Sequence, residues 1–238
     1  MLKPLTIPAW SWLLILFALL AAAFFLTRAT TIPQDQPQRD LALLHAVKHD
    51  HLAKFKALLG AGANPNAHIP DRHGVMCEAT EPGREEFLRT AIAHGGNVSL
   101  YTHVSSIFAT PLNCAISNEN PKAFHILVEH GADLSQPGCP ECGPKVKAWP
   151  LQTAANLGEF DMALDLLQRL EKQGPLPPDQ VDAVIDAIER GYLGEGSPAD
   201  LQRQRVIAWL RSKGYHIGPA ASYHRGPGDP GYQSEKQP

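Results

Sequence analysis

Four cysteines hold whatever redox or metal chemistry the chain carries: Cys77, Cys114, and the pair in Gly138-Cys139-Pro140-Glu141-Cys142-Gly143. A C-x-x-C spacing brings two sulfurs within bonding or metal-sharing distance. Three chemistries compete for it. One is a local disulfide that staples a loop, which an oxidising compartment favours. Another is half of a zinc site, which lacks a second C-x-x-C or H-x-x-H and has to borrow His125 or His130. The third is a thioredoxin-like redox pair. Such pairs open a helix that follows a strand, whereas this one is bracketed by Gly and Pro. A disulfide between Cys139 and Cys142 is the expectation taken forward, with no metal at the pair.

The histidines are the other ligand-capable set. His94 and His130 each stand directly before a glycine at the end of an apolar helical pattern. A cation-capable side chain there interacts with the carbonyl end of its helix, and that reading outweighs a shared metal. His45 and His49 share a helix face at i, i+4, while His51 does not. No H-E-x-x-H, G-x-S-x-G, P-loop or G-x-G-x-x-G occurs, so neither enzymatic activity nor a cofactor is expected. The net charge is −3 and no Lys/Arg cluster is visible, which argues against a nucleic-acid partner.

The elements that must carry these residues are clearest between Thr110 and Gln136, TPLNCAISNENPKAFHILVEHGADLSQ. Thr110-Pro111 opens a short helix with Leu112, Ala115 and Ile116 on its apolar face. Asn118 to Asn120 interrupts it, and Pro121 is tolerated in the first turn of a second helix. Phe124, Leu127 and Val128 line that helix at 3.6-residue spacing, and Gly131 stops it. A pair of short helices cannot bury its own apolar faces, so neighbours must stack on both sides.

The T-P-L-x-x-A opening and G-A-D close resemble an ankyrin repeat, whose period is about 33 residues. Leu41 to Ala67 falls on the same template through Leu43, Ala46, Phe55, Leu58, Leu59, Gly62, Ala63 and Asn64. Gly74 to Ser99 matches through Phe87, Leu88, Ala91, Ile92 and Gly95-Gly96-Asn97-Val98, although Pro82-Gly83 leaves its first helix, Val75 to Thr80, little room. Trp149-Pro150-Leu151 restores the opening for a copy reaching Leu167. A degenerate copy spans Val181 to Arg190 and Asp200 to Gly214. The resemblance implies an all-α fold, an ankyrin-repeat solenoid of about four to five helix-turn-helix repeats with finger loops. On this template Cys114 is a buried core thiol and Cys77 is left unplaced.

Ahead of the repeats, Pro8 to Leu26 carries no charge. About 19 residues at 1.5 Å per residue span roughly 28 Å, near the thickness of a bilayer core. Trp10 and Trp12 suit an interfacial belt, and Lys3 places the N-terminus in the cytoplasm. The expected organisation is a cytoplasmic N-terminus (1–7), a transmembrane anchor (8–27), a Gln/Pro-rich tether (28–40), the repeat domain (41–217) and a disordered Gly/Pro-rich tail (218–238). The rival reading is a signal peptide cleaved near Ala23. Phe24-Phe25-Leu26 extends the apolar run past that cut, which favours the anchor. Either way the repeat domain lies beyond the inner membrane, in the periplasm.

The resemblance implies a non-catalytic protein-protein interaction module that acts as a monomer. Finger tips and the ends of first helices would contact one protein partner. Residue by residue, the candidates are Pro70, Asp71 and His73 in one finger, Lys48 and His49, Ser117 and Asn118, and Asn156 after the first helices. Tyr101, His103 and Trp149 join them as aromatic or ring side chains of two enlarged fingers. Two other functions stay open: thiol redox or metal handling in oxidative-stress defence through Cys139 and Cys142, and an immunity-type inhibitor of one exported toxic enzyme.

Overall fold

The computed structural model describes residues 32–69, 73–102, 110–139, 148–190 and 196–218. The expected anchor, the first four residues of the expected tether (28–31), and the tail beyond 218 lie outside them. The described residues are all-α, with ten helices and no strand. In chain order these are α1 (Gln36–Lys48), α2 (Leu52–Gly60), α3 (Val75–Glu78), α4 (Glu85–Ala93), α5 (Pro111–Ser117), α6 (Pro121–Glu129), α7 (Pro150–Leu157), α8 (Phe160–Gln173), α9 (Pro178–Arg190) and α10 (Pro198–Ser212). Among the described residues no helix is long and apolar enough to cross a membrane.

The first four pairs pack internally, α1 on α2, α3 on α4, α5 on α6 and α7 on α8. The first helices also form a row, α1 to α3 to α5 to α7 to α9. In a second row α2 packs on α4 and α4 on α6, and farther along α10 packs on α8. The rows share one apolar core whose largest fully buried side chains include Phe55, Phe87, Phe124, Leu58, Leu112 and Leu127. Phe55 and Phe87 meet edge to face at 5.1 Å between centroids, joining α2 to α4.

Local chemistry explains why the pairs look alike. Thr110 accepts the Asn113 N–H, Asn120 accepts the Ala123 N–H, and a proline follows each in the first turn. In three pairs the turn between helices closes with one backbone bond onto a buried alanine. His51 N–H donates to Ala46 O, Asn120 N–H to Ala115 O and Glu159 N–H to Ala154 O, at 2.9, 3.0 and 2.8 Å. Each turn passes through a left-handed residue: Asp50, Glu119 and Gly158.

The second helices of the first three pairs end alike. Gly62, Gly95 and Gly131 take φ of +86°, +88° and +82°, the left-handed conformation glycine adopts without a Cβ clash. The residues after them, Ala63, Gly96 and Ala132, donate back to Leu58, Ala91 and Leu127. Next come three identical side-chain turns, in which Asn64, Asn97 and Asp133 accept the N–H of Asn66, Ser99 and Ser135, each at 2.9 Å. The first turn is tied to α1 of its own pair, and the other two are linked across pairs. Asp40 accepts from Asn64 N–H at 2.7 Å, Asn66 from Asn97 N–H at 2.7 Å, and Ser99 from Asp133 N–H at 2.8 Å.

Two expectations about boundaries are corrected. Helix α1 begins at Gln36, inside the stretch expected to be tether, because Pro37 suits a first turn and Gln36 donates to Asp40 at 2.7 Å. The first helix of the second pair exists as the single turn α3, buried through Val75, Met76 and Cys77.

Candidate functional site

The sequence candidates collect at the C-terminal ends of the first-row helices. His49 caps α1 and is exposed, its ring stacked 4.1 Å from His45. Lys48, on the last turn of α1, pairs with Glu78 of α3 at 3.1 Å, and Arg84 reaches Glu78 at 3.8 Å and Glu81 at 2.7 Å. Ser117 and Asn118 end α5, both half-buried, and Asn118 donates to the hydroxyl of Thr80 at 3.0 Å. Asn156 stands exposed on the last turn of α7. Because α1, α3, α5 and α7 pack side by side, these positions form one polar ridge.

Within the ridge lies a cleft of about 70 Å³ lined by His73, Cys77, Glu78, Glu81, Cys114, Ser117 and Asn118. Its floor is a disulfide between Cys77 on α3 and Cys114 on α5, with Cα atoms 5.6 Å apart. Cys114 is thus not a free core thiol, and Cys77 has a place. The stacking of the two first helices brings the sulfurs together, each residue at a packed position with 8% and 3% exposure. His73 precedes α3 by two residues, and its Nδ1 lies 3.2 Å from Cys77 Sγ and 3.8 Å from Cys114 Sγ.

The sequence held two signals for this cluster. His73 and Cys77 are only four residues apart in sequence, which keeps them close whatever the local backbone. Cys77 and Cys114 are separated by 37 residues, close to the period of about 33 that the ankyrin resemblance implies, a spacing that would set them on neighbouring helix pairs.

Other candidates fall elsewhere. Trp149 was expected on an exposed finger and is corrected: it is 8% exposed at the entry to α7, beside buried Ala148 and Pro150. Opening a helix in the packed row buries it. Tyr101 is half-buried, and Pro70, Asp71 and His103 lie outside the described residues. Cys139 is buried and disulfide-bonded; Cys142, its expected partner, lies outside the described residues. Beside Cys139, Gly138 N–H donates to Ala148 O at 3.0 Å.

His94 and His130 behave as end-of-helix side chains. Their Nδ1 atoms meet Thr90 O at 2.9 Å and Ile126 O at 2.7 Å. No known family model matches the chain, and no curated protein matches it.

Proposed function

We propose that the chain is a membrane-tethered, ankyrin-type binding module that holds one protein partner outside the cytoplasm and catalyses no reaction. The observation that supports this most is the ridge: polar or charged side chains of Lys48, His49, Ser117, Asn118 and Asn156 stand at the C-terminal ends of α1, α5 and α7, three helices of one packed row. A row of this kind offers a partner a rigid surface whose ordering cost was met on folding, so fewer side chains lose freedom on binding. The linked side-chain turns brace the finger side of the same stack. The uncharged run 8–27 supports the tether, and Lys3 supports an exported repeat domain.

The test is affinity capture of the full chain from detergent-extracted membranes, together with a compartment-sensitive reporter fused after Gly218. The expected result is one protein recovered in stoichiometric amount, lost from a His49→Ala, Ser117→Ala, Asn156→Ala variant, and a reporter active only in the exported compartment. Equal recovery by the triple variant, or a reporter active in the cytoplasm, would reject the reading.

A further inference from the structure

Cys77, Cys114 and His73 hold more chemistry than a crosslink requires. Their ligand atoms, two sulfurs and one ring nitrogen, all lie within 4.8 Å of one another. In a tetrahedral zinc site with Zn–S near 2.3 Å and Zn–N near 2.05 Å, a nitrogen and a sulfur stand about 3.6 Å apart and two sulfurs about 3.8 Å. The observed His73 Nδ1 separations, 3.2 and 3.8 Å, already bracket the first of these edges. Only the sulfur–sulfur edge is wrong, because the two are bonded.

We propose that reduction of the Cys77–Cys114 disulfide converts this cluster into a zinc site with His73, Cys77 and Cys114 as ligands. The reductant is a dithiol, which supplies two electrons and two protons and becomes a disulfide while Cys77 and Cys114 become thiols. Zinc then binds the two thiolates and the Nδ1 lone pair of neutral His73, releasing the two thiol protons. Two thiolates balance the charge of Zn²⁺, so no carboxylate is needed. Glu78 stays with Lys48 and Arg84.

The geometry carries the rest. Both cysteines are borne by helices that pack on each other, so their backbones, with Cα atoms 5.6 Å apart, are held together after the bond opens. Separating the sulfurs by about 1.8 Å, from a bonded 2.0 Å to the tetrahedral edge, is a side-chain movement. The fourth position faces the cleft beside Ser117 and Asn118. A site with three protein ligands and one open position accepts water or a ligand from outside, and here that position opens on the proposed partner-binding ridge. The disulfide and the metal exclude each other, so the ridge would exist in an oxidised, crosslinked form and a reduced, metal-bound one.

The experiment uses the full chain carrying Cys139→Ser and Cys142→Ser, which leaves Cys77 and Cys114 as the only thiols. Oxidised and dithiol-reduced samples are titrated with Zn²⁺, and bound metal is counted after gel filtration. Co²⁺ replaces Zn²⁺ in a parallel titration to report thiolate-to-metal charge transfer, and far-UV circular dichroism follows the fold. The expected result is one zinc per reduced chain and none per oxidised chain, with thiolate–cobalt bands present. Loss of even an outer-shell partner costs a metal site roughly 10–100-fold, so loss of the ligand itself in His73→Ala should weaken binding in the reduced state by at least about tenfold with an unchanged helical spectrum. Absence of bound zinc in a reduced chain that keeps its helical spectrum would overturn the proposal. So would unchanged affinity in His73→Ala, or a reduced chain that unfolds and is not refolded by Zn²⁺.

Discussion

The side chain of Asn66 spans two helix pairs: its Oδ1 accepts the N–H of Asn97 at 2.7 Å while its Nδ2 donates to Gly95 O at 3.1 Å. One residue thus satisfies a donor and an acceptor at the end of the next pair's second helix. Ordinary hydrogen bonds contribute about 0.5–1.5 kcal/mol each. Asn66→Ala should therefore cost roughly 1–2 kcal/mol in denaturant unfolding, with Asn66→Asp retaining the acceptor half. An Asn66→Ala midpoint equal to that of the parent chain would mean that the cross-pair link does not stabilise the stack.

Leu127 is fully buried in α6, in the middle of the shared core. Truncation of such a leucine removes packed atoms and leaves a cavity, at about 2–5 kcal/mol. Leu127→Ala should lower the melting temperature clearly, and an unchanged value would contradict the central position of α6.

The two cysteine sites should separate by their effect on stability. Cys77 and Cys114 close a loop of 37 residues in sequence separation, for which chain entropy gives roughly 4 kcal/mol. The finger ring expected between Cys139 and Cys142 is short, and its entropic contribution is smaller. Cys77→Ser with Cys114→Ser should shift the thermal transition far more than Cys139→Ser with Cys142→Ser. The latter should keep its helical content and lose partner affinity, since a pre-ordered finger loses less entropy on binding. Equal thermal shifts for the two double variants would contradict this division.

Legibility followed range. The caps at Thr110 and Asn120 and the stop at Gly131 are local, and a few residues on either side suffice to place them. Helix α1 hid its first turn because Gln36 to Asp40 carries no apolar period; its support is polar, from Gln36 to Asp40 and from Arg39 to the carbonyl of Gln34 at 2.6 Å. The Cys77–Cys114 bond depends on α3 lying against α5, and α3 is one turn long, too short for periodicity to register. For Trp149, a position in a loop does not mean exposure, because the residue entering a packed helix is buried with it.

His45 gives the stack a pH dependence. Loss of hydration, then repulsion from His49, Lys54 and His51, holds its pKa below the ordinary 6.5. The folded state therefore resists a proton that the unfolded chain accepts. This penalty is absent well above the ordinary value and grows as pH falls through it toward the folded value. His45→Gln should match the parent chain at about pH 8 and exceed it in stability at about pH 5. A variant less stable than the parent at the lower pH would contradict the direction of the shift.

The most direct test of the proposed binding ridge is site-specific photo-crosslinking in the full chain expressed in cells, with the photoreactive residue at Asn156 or at His49. Both positions are exposed at the ends of first-row helices, and Arg89, exposed on α4 of the second row, serves as the comparison. The account predicts that Asn156 and His49 yield one and the same protein adduct and that Arg89 yields none. Adducts from Arg89 alone, or none from either ridge position in cells where affinity capture recovers a partner, would contradict it.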